Sequence, residues 1–600
     1  MKIPATILHL VLAGVPLVGC DAPGPRGRTT SDGAPPPAVT AAEETTPSPT
    51  GLRFQRGAVA SDSPVASRAG VEIMRAGGNA VDAAIATSFA LAVTRPYSTG
   101  LGGGGFMLVF DPSTGESTAL DFRETCPRGV DPDFYVEQIP TASGYDPSMY
   151  GGRSVAVPGQ VPGLMAAHER WGSLPLPTIL GPAIRAAREG FPVDADHLRA
   201  VERVRAIRAA HPDLRPTSAW VWTNLCGSGE IEVGDVLVQP GLASYLERLG
   251  REGIAAWSGE KGVAPLVAGV DRAFDGVLTA DDLRDYTVAW RRPLVVEDVH
   301  DGIDAIVMPP PSSGGIALAQ VLRMVDRRRA SFGDPVPGDP SYAELLVGAF
   351  RHAFADRARY LADPGFSDVP TEDLIDLAAI DAAAERLVPG AIVPHDECGV
   401  LPPRDGRSRG TTGTSHFSVV DETGLTVACT ETINGYFGSL VAIPDIGVVL
   451  NNEMNDFTTN PGESNMFGLA QSMDNLPEPG KRPLSSMSPT IIVRDGRTLM
   501  TAGASGGPRI ITGTIQVILE VLHGGRGAAE AIEAGRVHHQ WSPEVVRIEP
   551  GRERTGDHLR TVGHEVESTR SVGVVQAILI HEDGMEPASD PRKGGSPAGW

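Results

Sequence analysis

A layered α+β fold is the class that the sequence predicts, and three observations carry it. Two helical patterns follow each other directly near the start of the folded part. Short runs with strand character recur further on, and the two kinds of block are spread through 600 residues, enough chain for a large core. The first helix is predicted to open at Ser63-Pro64, to run through Val65, Ala69 and Ile73, and to stop at Gly77-Gly78-Asn79. In the second, Val81, Ala84, Ile85, Phe89 and Ala92 recur at three and four residues, so an amphipathic helix is predicted, closed by Pro96. A third long helix is predicted over 343–361, and strands over 106–110, 417–420, 427–432 and 448–450. No repeat of fixed period is present, and periodicity does not give the order of the layers.

The first twenty residues place Lys2 ahead of an apolar stretch too short to span a membrane, which reads as an export signal. It ends Leu17-Val18-Gly19-Cys20, which resembles the bacterial lipobox and implies a lipidated Cys20; an ordinary cleaved signal is the alternative. Residues 21–52 are rich in Pro, Ala, Thr, Ser and Glu, lack apolar periodicity, and are expected to be a disordered linker. No later apolar run has membrane length, so membrane contact is expected only through the anchor, with the protein in the periplasm or cell envelope. Fifty-one Lys and Arg stand against 74 Asp and Glu, and the net charge of −23 excludes nucleic acid and anionic membrane surfaces as partners. The remaining cysteines, Cys126, Cys226, Cys398 and Cys429, lack C-x-x-C spacing; buried thiols are expected, with a Cys398–Cys429 disulfide left open.

Between 394 and 413 a polar stretch rich in Gly, Pro, Asp and Arg ends where Thr414-Ser415-His416-Phe417-Ser418-Val419-Val420 turns to strand alternation, a junction where scission is physically easy. By itself a hydroxyl residue at a strand start is ordinary structure. If the Gly413–Thr414 bond is broken, however, Thr414 owns both a hydroxyl nucleophile and an α-amine of pKa about 7.7–8.0 able to take its proton.

The run TSHFSVVD at 414–421 resembles the threonine motif of gamma-glutamyltransferases, which are N-terminal-nucleophile hydrolases. Further segments are similar to that family in the same order: LGGGGF (101–106), ALDFRE (119–124), SVAVPGQVPGL (154–164), MPPPSSGG (308–315) and HAFADRARYLADP (352–364). NNEMNDF (451–457), KRPLSSMSPT (481–490), SGGPRI (505–510) and ASDPR (588–592) continue it, so the resemblance covers about 57–600.

The resemblance implies a four-layer αββα fold made from two fragments of one precursor, a large one (53–413) and a small one (414–600). It implies that Thr414 forms a gamma-glutamyl ester, with Thr432 holding its hydroxyl and Asn434 in the cleft wall. Arg123 would clamp the donor's α-carboxylate with Ser485 and Ser486, because a planar guanidinium offers paired donors. Glu453 and Asp456 would receive the α-ammonium, and Gly506 and Gly507 would offer backbone N–H groups to the oxyanion. The expected donors are glutathione or other gamma-glutamyl compounds, and the acceptors water, amino acids or dipeptides. No cofactor and no metal are called for, since nucleophile, base and oxyanion donors are all protein groups.

Two departures stand out: Ser415 where the family often has threonine, and Phe467 where bacterial members commonly carry a lid tyrosine. The second puts the balance of hydrolysis and transfer in doubt. Other readings remain open, among them a beta-lactam acylase, a poly-gamma-glutamate enzyme or an inactive peptide-binding lipoprotein. Gly503-Ala504-Ser505-Gly506-Gly507 also fits G-x-S-x-G, which would make Ser505 an esterase nucleophile with His538 or His539 as base. The four glycines at 102–105 lack a phosphate-loop ending and predict tight packing, while His416 is expected to be a hydrogen-bonded structural histidine.

Overall fold

Strand pairing between segments hundreds of residues apart builds two antiparallel sheets. The computed structural model describes residues 51–135, 141, 143–264, 267, 275–402, 413–459, 465–466, 468–469 and 472–600. The predicted leader, Cys20, the linker up to residue 50, Phe467 and residues 403–412 of the loop before Thr414 lie outside the described residues.

The elements that build the site begin with β1 (Gly57–Ser61), α1 (Pro64–Arg75), α2 (Ala80–Thr94), β2 (Gly104–Asp111) and β3 (Glu116–Asp121). The middle of the chain adds β4 (Ala289–Arg291), β5 (Leu294–His300), β6 (Ile303–Val307), α3 (Gly314–Arg328) and α4 (Pro340–Tyr360). After Thr414 come β7 (Ser415–Asp421), β8 (Thr426–Thr432), β9 (Thr490–Arg494), β10 (Arg497–Ser505) and α5 (Arg509–Leu522), then β11 (Val574–His581), β12 (Gly584–Ser589) and β13 (Ala598–Gly599).

The first sheet has the order β13-β1-β7-β8-β2-β3-β4, and the second β12-β11-β10-β9-β6-β5. Alternation along β2 shows how the layers are separated. Met107 and Val109 join the core shared with α1 and α2, whereas Phe106, Leu108 and Phe110 face the other way, into the core of Ala502, Ala504 and α5. Helices α3 and α5 cover the far side of the second sheet, with α4 packed on α3. The result is helix, sheet, sheet, helix.

The predicted helices and strands form close to their expected limits. Pro64 occupies the first turn of α1. Asn79 caps α2, accepting from the Val81 and Asp82 N–H groups at 2.9 and 3.0 Å, while the Asp82 carboxylate accepts in return from Asn79 N–H. The amphipathic expectation for α2 does not hold, because every one of its residues is buried. The first sheet, α1 and the helix Leu176–Glu189 cover it from several sides, and its Ala, Ser and Thr positions pack as closely as its apolar stripe. The glycine run before β2 is packing, as expected: a Cβ on Gly103 would lie 1.9 Å from the Thr432 carbonyl oxygen, so only glycine lets the chain pass β8 this closely.

The four described cysteines are buried free thiols, Cys398 and Cys429 included. No helix among the described residues is long and apolar enough to cross a membrane.

Candidate active site

Thr414 sits where the loop enters β7 and is buried at the end of the first sheet. Strand β8 pairs with β7 in the register Glu431–Ser415, which brings Thr432 alongside Thr414. In the uncut chain the Thr414 hydroxyl donates to the Gly413 carbonyl oxygen at 2.6 Å and lies 3.2 Å from the Thr432 hydroxyl. Thr432 donates to the same carbonyl at 2.9 Å and accepts from Asn434 N–H at 2.8 Å. Asn434 has a left-handed backbone, φ 70°, and its side-chain amide donates to the Asn452 carbonyl oxygen at 3.0 Å. Two hydroxyls thus converge on one carbonyl, next to the peptide bond that frees an amine when broken.

Beside Thr414 lies a small polar pocket lined by Arg123, Glu453, Asp456, Asn434, Ser485, Ser486 and Gly507. Arg123 is buried, pairs with Glu453 and with Asp456 (2.6 Å), and stands 3.6 Å from Glu124. Burial opposes its charge, but Glu453 and Asp456 outweigh that and hold it above the ordinary guanidinium range. Burial raises both Glu453 and Asp456, with Arg123 pulling each back. Glu124, whose two oxygens have no hydrogen-bond partner among the described residues, is pushed up to about 8 by burial, with Arg123 pulling it back. The Ser486 hydroxyl and one Glu453 oxygen are also buried and have no hydrogen-bond partner among the described residues. Such groups are costly unless a ligand satisfies them. Ser485 is turned to the backbone, accepting from Met487 N–H at 3.1 Å.

Gly506 and Gly507 form the turn between β10 and α5, with φ 127° and 59°, values that β-carbon residues rarely adopt. Gly507 lines the polar pocket, and Gly506 lines a larger cavity of about 380 Å³ that also opens on Thr414. The strand–turn–helix of a nucleophile elbow is therefore real, but its triad is not assembled. His538 binds the Thr512 hydroxyl and Gln540, His539 accepts from Trp541 N–H, and neither contacts Ser505. His416 is structural as expected: it binds Thr430 at 2.8 Å and Ser418 at 3.2 Å, and burial holds it down at about 3.

Two residues escaped the sequence reading. Arg357 of α4 is buried, lines the polar pocket, and is lowered to about 10 by burial despite Asp456 nearby. Lys593 donates to the Thr414 carbonyl oxygen at 2.8 Å and pairs with Asp62 at 2.6 Å; Asp62 in turn accepts from Ser415 at 3.0 Å. Both lie in or next to segments of the family resemblance, HAFADRARYLADP and ASDPR, and that adjacency was the available signal.

Paired sheets between helices, with a hydroxyl residue at a strand start facing an ion-paired pocket, define an enzyme of the N-terminal-nucleophile hydrolase fold. A family model for gamma-glutamyltranspeptidase matches residues 66–600. The chain is 36% identical over 553 residues to the glutathione hydrolase proenzyme of Escherichia coli, covering 90% of this chain and 91% of that one. It is 37% identical over 542 residues to the glutathione hydrolase proenzyme of Pseudomonas aeruginosa, covering 89% and 93%. Among solved structures, a cephalosporin acylase from Bacillus halodurans superposes with a TM-score of 0.78 at 24% identity, over 94% of this chain and 99% of that one, a likeness of fold. The chain belongs to the gamma-glutamyltranspeptidase family.

Proposed function

We propose that this protein is a self-cleaving gamma-glutamyl hydrolase and transferase whose nucleophile is Thr414, acting on glutathione or related gamma-glutamyl donors. The observation that carries the reading is the pocket beside Thr414, where one guanidinium faces two carboxylates and unpartnered polar atoms wait for a zwitterionic head group.

In maturation the Thr414 oxygen adds to the Gly413 carbonyl carbon and the C–N bond breaks, its nitrogen taking the hydroxyl proton. Water then hydrolyses the resulting ester, leaving a Gly413 carboxylate and a free Thr414 amine. The two-hydroxyl contact with the Gly413 carbonyl supports this step. The products, roughly 21–413 and 414–600, would stay together, because β1 pairs with β7, β2 with β8 and β6 with β9 across the break.

In turnover the donor's α-carboxylate meets Arg123, Ser485 and Ser486, and its α-ammonium meets Glu453 and Asp456. Thr414 attacks the γ-carbonyl carbon while its own amine takes the hydroxyl proton. The oxyanion is received by Gly506 and Gly507 N–H, the amine leaving group departs with that proton, and water or an amine acceptor releases the ester. Thr432 orients the nucleophile, and Asn434 holds the cleft wall through Asn452. We also infer export on the leader, with lipid attachment at Cys20, and a product balance set in part by phenylalanine in place of tyrosine at position 467.

The test is donor chemistry. A γ-glutamyl anilide should be turned over, and its α-amide and N-acetyl derivatives should lose about a hundredfold or more in kcat/KM. Equal turnover of all three would remove the head-group clamp from the account.

A further inference from the structure

Three side chains from distant parts of the chain meet at the end of α5 that lies away from Thr414. His300 ends β5, Asp326 lies in the last turn of α3, and His523 directly follows α5. Helix α3 packs on both β5 and α5, which brings the three together. With its 14 residues α5 is about 20 Å long, and Gly506 and Gly507 stand before its other end.

One Asp326 carboxylate oxygen lies 3.0 Å from His300 Nδ1 and 3.8 Å from His523 Nε2, and one ligand atom of each residue lies within 4.8 Å of the other two. Tetrahedral zinc, with bonds of about 2.0–2.1 Å, holds its ligands about 3.3 Å apart, so small side-chain adjustments close this triangle on an ion. The His523 imidazole is buried and His300 mostly so, while Asp326 reaches the surface and gives an ion a way in. The outer nitrogens are already engaged. His523 Nδ1 bonds the Tyr342 hydroxyl at 2.9 Å, which directs Nε2 at Asp326, and His300 Nε2 stands 3.7 Å from the Asp301 carboxylate.

Asp326 sits at the helix end that carries negative partial charge, an unfavourable place for a carboxylate alone, and Arg327 and Arg328 beside it reach Asp381 and Glu385 instead. The charge of Arg329 acts on His523 in the opposite sense, against the carboxylates of Asp326 and Asp301. We propose that His300, Asp326 and His523 form a binding site for a divalent transition ion of the zinc class, with water completing the coordination. The chemistry at Thr414 does not call on this ion, whose effect is structural. His300 and Asp326 precede Gly413–Thr414 and His523 follows it, so on the cleavage reading above the ion ties one fragment to the other.

Chelator-stripped enzyme titrated with zinc chloride alone, in competition with a chromophoric chelator, tests the site. The wild type should take up one equivalent, and its melting temperature should rise with zinc. His300→Gln and Asp326→Asn should each weaken that uptake about tenfold or more and lose the rise, while melting like the wild type in the absence of zinc. No uptake by the wild type at micromolar zinc, or an affinity and a melting shift unchanged in both variants, overturns the proposal. The Thr414→Ala chain should bind zinc as tightly as the wild type, because the site does not depend on the cut. A wild type that binds zinc through these residues yet proves uncut would sink the cleavage reading alone.

Discussion

Lys593 places its ammonium 2.8 Å from the carbonyl oxygen of Thr414, the residue proposed to act as nucleophile and, once the preceding bond is cut, as its own base. On that proposal, a buried cation this near would disfavour a second positive charge on the freed amine and favour its free base. Asp62, at 2.6 Å, prevents the lysine from being an uncompensated charge.

Lys593→Gln should therefore move the acid limb of the kcat/KM profile to higher pH by about one unit, with an activity loss of about tenfold at pH 7. Lys593→Arg should restore the limb in part. A lower plateau with the limb in its original place would assign Lys593 a structural role only.

Asp456→Asn keeps the shape of the head-group pocket and removes one of the two carboxylates facing Arg123. Steady-state kinetics with a γ-glutamyl anilide should show kcat/KM down by about a hundredfold, mostly through KM, as expected for loss of a charge-assisted contact. Thermal unfolding of the variant separates this from misfolding.

Ser486 offers a buried hydroxyl that no group among the described residues satisfies. Ser486→Ala should leave the melting temperature unchanged or slightly higher, since no hydrogen bond within the protein is lost. KM for the donor should rise by about five- to tenfold, the size of one neutral hydrogen bond. A clear fall in stability with unaltered KM would contradict this.

His416 is held neutral by burial, down at about 3 from an ordinary value near 6.5. The folded value is depressed, so the unfolded chain binds more protons over the window between them, and stability is lost as pH falls from 6.5 toward 3. At pH 5, denaturant unfolding should take up about one proton fewer in His416→Gln than in the wild type. An identical slope of stability against pH would refute the assignment.

Local pattern made α1, β2, β7 and β8 readable, because their apolar spacing and their Pro, Asn and Gly punctuation act over a few residues. The same reasoning missed that α2 is buried on all faces, since the helix Leu176–Glu189 that covers it lies far along the chain. The residues proposed to hold the head group were legible only through the family motifs; nothing local distinguishes Arg123 from an arginine in a surface ion pair. Ser505 shows the opposite failure: its elbow pattern is correct as strand, turn and helix, yet its candidate histidines are bound elsewhere. Arg203 and Arg570 meet in one cavity from positions 367 residues apart, and no periodicity reports such a meeting.

N-terminal sequencing of the smaller fragment from purified enzyme, beside a Thr414→Ala variant on the same denaturing gel, bears most directly on the mechanism. The smaller fragment should begin at Thr414, and the variant should run as one uncut chain without activity. Turnover by a polypeptide still continuous through Gly413–Thr414, or a fragment beginning elsewhere, would contradict it.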